Sequence, residues 1–135
     1  MKFVLKLLTL LVLIMQLSAC ASTPEELETL DKTLESYERL MRWGSYTAAV
    51  AFQEKPKDLQ DWERHQLKNI RVTSYRMISQ DVAPDYSAAT IIVDIRYYFA
   101  SSQIERVYTD RQQWKYIKES EKWYLTSQFP KFKFR

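Results

Sequence analysis

The sequence predicts an α+β fold in which N-terminal helices pack on a curved, cone-like, four-stranded antiparallel meander. Three observations carry this prediction. Apolar residues recur every three or four positions as far as Lys68 and every second position after Asn69, so the chain changes from helix to strand once. The only glycine, Gly44, stands where a long helix needs a left-handed stop. The aromatic residues gather after Tyr37, in the half of the chain that reads as strand. The expected division is a leader over 1–19, a tether over 20–23 and a single α+β domain over 24–135.

Lys2 and Lys6 give the leader a positive start, and Leu7 to Met15 is apolar except for Thr9. Small residues, Ser18 and Ala19, precede Cys20. That order is a secretory signal, and Phe3 to Leu17 falls short of the roughly 20 apolar residues a spanning helix needs. Leu17-Ser18-Ala19-Cys20 resembles the lipobox of bacterial lipoprotein signal peptides, and Cys20 is the only cysteine. The resemblance implies cleavage before Cys20, a diacylglyceryl thioether on its thiol and often an N-acyl chain, such as palmitate, on its freed amino group. More than one acyl chain makes an anchor stable. Ala21, where an aspartate would favour inner-membrane retention, implies the outer membrane, facing the periplasm. A plain cleaved signal, with Cys20 a bystander, is the other reading.

From Thr23 the helical half follows. Thr23-Pro24-Glu25-Glu26 predicts a helix start, with Thr23 as cap and Glu26 completing a capping box. Leu27, Leu30, Leu34, Tyr37 and Met41 form one stripe, with Leu40 beside it. The stripe lasts only about two heptads, which favours packing on a sheet over a coiled coil. Ser45 is placed to cap a short helix through Phe52, stopped by Pro56. Asp58 to Lys68 predicts a third helix with Leu59 and Trp62 on one side.

Four strands are expected next. Ile70 to Val82 alternates imperfectly, which predicts a bulge, and Pro84-Asp85 makes a turn. Ser87 to Ala100 alternates cleanly, with Ile91, Val93, Ile95, Tyr97 and Phe99 on the inner face and Thr90, Ile92, Asp94, Arg96 and Tyr98 on the other. Gln103 to Ile117 and Lys122 to Ser127 are joined around Lys118-Glu119-Ser120-Glu121, and Phe129, Phe132 and Phe134 are placed to dock the tail.

Composition excludes several classes of function. Without Lys2 and Lys6 the chain has 18 basic and 17 acidic residues, too even a balance for nucleic acid. Beyond Cys20 there is no thiol for a disulfide, and one histidine, His65, is too little for a metal site, so no metal or cofactor is expected. No glycine-rich phosphate loop or serine nucleophile elbow is present. Residues 106–135 hold eight bases and three acids, a basic surface open to anionic lipid or an acidic partner.

The capped helix, Trp43-Gly44-Ser45-Tyr46, and a meander ending in Trp114-Lys115-Tyr116 and Lys122-Trp123-Tyr124-Leu125 resemble the nuclear transport factor 2-like superfamily, which includes ketosteroid isomerase and scytalone dehydratase. The resemblance covers about residues 24–128 and implies a cone whose interior can hold a ligand, with the outer sheet face often used for pairing. Asp94, Arg96 and Tyr98 are the candidate interface on that face. Ile104, Arg106, Tyr108, Asp110, Gln112, Trp114 and Tyr116 share one parity. If it faces inward, Arg106, Tyr108, Asp110 and Trp114 line a pocket, and a buried Asp110 has the character of a general base. A bulge would break the parity, leaving Trp114 and Tyr116 as core and Arg106 and Asp110 at the rim.

The expected function is therefore a membrane-anchored envelope lipoprotein, a binding or assembly module rather than an enzyme. Its partners are the membrane, through lipid on Cys20, and an envelope protein; homodimerisation through the outer face is a third reading. The alternative is a carrier or small enzyme for an apolar or aromatic ligand inside the cone.

Overall fold

The computed structural model describes Met1, Lys2, Val4, Lys6 and residues 23–133. The lipobox with Cys20, and Phe134, lie outside the described residues. Among the described residues no helix is long and apolar enough to cross a membrane.

Helix α1 (Glu25–Arg42) buries Leu30, Leu34, Tyr37 and Met41, the stripe set by its sequence period. Its solvent side carries exposed i,i+4 pairs Glu28–Lys32, Glu35–Arg39 and Glu38–Arg42. Acidic residues fill the first turn and Arg39 and Arg42 the last, matching the helix dipole. The expected Thr23 cap does not form. Pro24 itself occupies the cap position, with φ −54° and an extended ψ of 139°, and no side chain caps the helix. Its carbonyl takes the N–H groups of Leu27 and Glu28 instead, at 3.0 and 3.3 Å. At the other end Gly44 has φ +73°. Ser45 N–H reaches back to the Leu40 carbonyl at 2.9 Å, the bond of a Schellman stop.

Helix α2 (Tyr46–Val50) is shorter than expected, and Ser45 caps it without a side-chain bond. Residues 52–54 leave the helix to pair with Leu125: Leu125 N–H donates to the Phe52 carbonyl at 2.8 Å, and Glu54 N–H to the Leu125 carbonyl at 3.0 Å. Helix α3 (Asp61–Leu67) starts three residues later than Asp58. Glu63 fixes that start by accepting from Gln60 N–H at 2.8 Å and from Lys57 Nζ at 2.7 Å. Trp62 points outward, 61% exposed, so α3 buries no residue fully.

The sheet runs β1 (Ile70–Val82), β2 (Ala88–Phe99), β3 (Arg106–Ile117) and β4 (Lys122–Leu125), antiparallel and in sequence order. β1 shifts register between Val72 and Ser74 and between Met77 and Ser79, the irregularity its sequence predicts. β3 begins at Arg106 rather than Gln103. Ser102 and Gln103 N–H both turn back to the Phe99 carbonyl, and Gln103 has φ +54°. β2 and β3 pair without any shift, so Ile91, Val93, Ile95 and Tyr97 stand opposite Gln112, Asp110, Tyr108 and Arg106 on one face. The parity of β3 therefore survives intact and faces the helices.

Between α1 and that face lies the core: Leu30, Leu34, Tyr37 and Met41 from the helix, with Ile91, Val93, Ile95, Tyr97, Trp114, Trp123 and Leu125 from the sheet. Tyr37 meets Trp114 edge-on at 5.4 Å. Trp123 Nε1 donates to the Glu26 carbonyl at 2.9 Å, tying β4 to the first turn of α1. The tail closes one side, with Phe132 buried against Tyr97 at 4.9 Å and Tyr46 at 6.1 Å.

A Cβ on Gly44 meets only the Tyr46 ring at 3.8 Å, so the cost of a side chain there is conformational. Gly44→Ala is expected to lower unfolding free energy by about 1–2 kcal/mol in a urea titration, and Gly44→Asn by less.

Candidate functional site

Asp110 and Gln112 are the only fully buried polar residues among the described ones, and both sit on the inner face of β3. Asp110 is 3% exposed, not at the rim as one sequence reading has it. Their positions follow from strand alternation: Asp110, Gln112 and Trp114 are successive inward residues of a strand with no bulge. Gln112 saturates itself. Its Nε2 donates to Asp110 Oδ2 and to Tyr75 Oη, each at 2.9 Å, and its Oε1 accepts from Trp114 Nε1 at 3.0 Å. An indole N–H can only donate, so the orientation of the amide is fixed by Trp114.

Burial raises the Asp110 carboxyl from its ordinary 3.8 to about 6, and the Gln112 hydrogen bond opposes the rise. Tyr75 is likewise pushed up, chiefly by burial. Tyr37 rises well above its ordinary range, first from burial and then from the Asp110 charge; its hydroxyl has no hydrogen-bond partner. Asp110 thus has the elevated pKa of a general base, next to two phenols.

The other sequence-marked residues divide. Trp114 joins Gln112, and Tyr108 is partly buried with its ring 6.2 Å from Phe132. Arg106 turns away along the tail: its Nη1 donates to the Lys133 carbonyl at 3.2 Å, and its guanidinium lies 5.8 Å from the centre of the Phe99 ring. Arg106 and Trp114 are therefore not brought to one catalytic point with Asp110. On the opposite sheet face Asp94 accepts from Thr109 Oγ1 at 2.8 Å and pairs with Arg76 at 3.3 Å, while Arg96 pairs with Glu105 at 3.2 Å. Asp94, Arg96 and Tyr98 share that face, and the first two form cross-strand ladders within it. Among the described residues no group of three or more histidines, cysteines or carboxylates is placed to hold a metal.

Of two concavities formed by the described residues, neither is lined by Asp110, Gln112 or Trp114. The smaller, about 180 Å³, lies between α1 and β1 beside Leu34, Tyr75 and Ile91, with Asp31, Glu35 and Glu38 around it. The larger, about 520 Å³, lies between the loop after α2, helix α3 and the tail. Val50, Leu59, Trp62, Leu67, Phe129 and Phe132 give it apolar walls, and Lys55, Lys57 and Lys131 approach it with one carboxylate, Glu63. Gln66 also lines it, and its buried Oε1 lacks a donor. Sequence reading finds neither the cleft nor the part Gln112 plays in the network. The signal for Gln112 is its parity; the cleft has none, because its walls come from the loop after α2, helix α3 and the tail, segments about 70 residues apart.

No protein-family model matches the chain, and no curated protein matches it. A solved structure is similar to it: the solution structure of a SEC-C motif containing protein from Rhodopseudomonas palustris, with a TM-score of 0.54 and 15% identity over 70% of this chain and 72% of that one. At that identity the likeness shows the fold alone, α+β with helices followed by an open four-stranded antiparallel sheet.

Asp110 holds its proton more tightly in the folded chain than in the unfolded one. Its unfavourable burial is absent below about pH 4, grows as pH rises through about 6, and is complete above that. Stability is expected to fall by about 3 kcal/mol across that window, and Asp110→Asn to flatten the fall. Urea titrations of both proteins between pH 4 and 8 check this; parallel profiles refute it. Gln112→Leu leaves Trp114 Nε1 without an acceptor and is expected to cost about 2–4 kcal/mol. It also removes the bond that holds Asp110 down, moving the Asp110 transition to higher pH.

Proposed function

We propose that the chain is a lipid-anchored lipoprotein of the bacterial envelope, on the outer membrane facing the periplasm, and that its domain is a non-catalytic binding or assembly module. The observation that carries the second half is the closure of Asp110. The one carboxylate with a base-like pKa is buried, bonded to Gln112 and outside both concavities. A general base has to come within hydrogen-bond reach of its substrate, and this one is shut behind its own core. The first half rests on Leu17-Ser18-Ala19-Cys20 and the tether of a few residues before α1, which holds the domain next to the lipid surface. A cone-like arrangement of the nuclear transport factor 2 kind belongs to the same proposal, supported by helices covering one face of the sheet.

A second reading, a carrier for an apolar or aromatic ligand, is favoured by the 520 Å³ cleft, which falls in the size range of small-molecule sites. Its guest would sit beside the helix–sheet core rather than inside it.

Cys20→Ser is expected to move the protein from the membrane pellet to the soluble fraction in cell fractionation. A protein that stays in the pellet, or a wild type that is soluble, removes the anchoring half. The module half is tested by photocrosslinking in cells from positions 62 and 98. A recurrent envelope-protein adduct is expected at one of them, and its absence from both counts against assembly.

A further inference from the structure

The large cleft has apolar walls and cationic approaches, and nothing in the buried polar network reaches it. Val50, Leu59, Leu67, Phe129 and Phe132 offer no hydrogen bonds to a guest, so the body of the guest is apolar. Charge at the cleft is one-sided. Lys57 is occupied by Glu63, the sole carboxylate there, at 2.7 Å. Lys55 and Lys131 are exposed and have no carboxylate within ion-pair distance among the described residues. They come from opposite walls, the loop after α2 and the tail, and the walls are joined by Gln53 Nε2 donating to the Ser127 carbonyl at 3.3 Å. No arginine lines the cleft. Lysine meets an anion as a point charge, so these two ammonium groups suit an anionic end on an otherwise apolar guest.

We infer that the cleft binds a long-chain fatty acid, with its chain along the apolar walls and its carboxylate between Lys55 and Lys131. This deepens the carrier reading by naming the ligand class and the site, and it rests on that reading of the domain as a binder. The charge complementarity argues for a fatty acid over a neutral lipid. Gln66 Oε1 is the one orphaned polar atom lining the cleft among the described residues, too little to pair a peptide backbone or the hydroxyls of a sugar.

The probe is a diazirine-bearing palmitate analogue added to isolated membranes that hold the full-length chain, with adducts mapped by mass spectrometry. Adducts are expected on 59–67 and 128–132 and are displaced by unlabelled palmitate. Each competitor shortened by two methylenes is expected to compete about tenfold less well. Hexadecanol, of equal length but uncharged, is expected to be about tenfold weaker than palmitate. Lys55→Glu with Lys131→Glu is expected to raise the half-saturating probe concentration about tenfold without changing the melting temperature, since both side chains are exposed.

Equal competition by hexadecanol overturns the carboxylate assignment. Adducts scattered over Trp43, Ile78 and Val107 in proportion to exposure overturn the site. Cleft adducts displaced by an acidic amphipathic peptide but not by palmitate make the occupant a protein. The Cys20→Ser fractionation separates the two proposals. Cleft labelling of a chain that proves unanchored leaves the ligand and removes the anchor, whereas an anchored chain without cleft labelling removes the ligand alone.

Discussion

The side-chain amide of Gln112 is the point on which this core turns. It is completely buried, and it ties β1 to three successive inward positions of β3. Through Nε2 it holds Tyr75 on bulged β1 and Asp110 on its own strand; through Oε1 it holds Trp114. Trp114 then carries the constraint outward, edge-on to Tyr37 of α1 at 5.4 Å and to Phe52 at 6.3 Å. A buried amide costs several kcal/mol if it is left unpaired, so the register that pairs it is strongly preferred over neighbouring registers. A one-residue slip of β3 would turn Gln112, Asp110 and Trp114 to the solvent face together and replace them with Arg111 and Gln113.

The same constraint accounts for the unusual carboxyl. Asp110 sits opposite Val93 and adjacent to aromatic rings, where water cannot solvate its charge. Gln112 gives back only part of that solvation, hence a pKa raised to about 6 rather than a depressed one. Such a value often marks catalysis, but a value alone does not make a site. What is missing is access. The phenols of Tyr37 and Tyr75 stand nearby, yet Tyr37 lacks any partner and Tyr75 is bonded to Gln112. The cluster has the composition of an acid–base site and the environment of a core.

Sequence made some of this legible and hid the rest for physical reasons. β2 could be read residue by residue because burial on one face enforces alternation, and Ile91 to Phe99 obey it. β1 could not, since two register shifts break its period and send Met77 and Ile78 to the surface, both about half exposed. Local capping rules placed Gly44 correctly but erred at Thr23, where Pro24 serves as the cap with its own backbone. The parity of β3 was visible, but its depth was not. That depth comes from α1 and the tail covering the inner face, contacts between segments far apart in sequence.

The cleft follows from how the loop after α2, helix α3 and the tail are held against one another. Residues 52–54 pair with Leu125 and protect the short β4 edge, and α3 touches the core through the partly buried Leu67. Having no fully buried residue, α3 cannot close down on the sheet and leaves its apolar side over open space. The tail forms the opposite wall. It is held by Lys133 N–H donating to Tyr97 Oη at 3.2 Å, by Arg106 and by the Phe132 ring. Phe132 is thus both a core residue and a cleft wall, its ring 6.2 Å from that of Tyr108. The helix–sheet core and the surface cleft, separate in composition and in access, therefore meet at one phenylalanine.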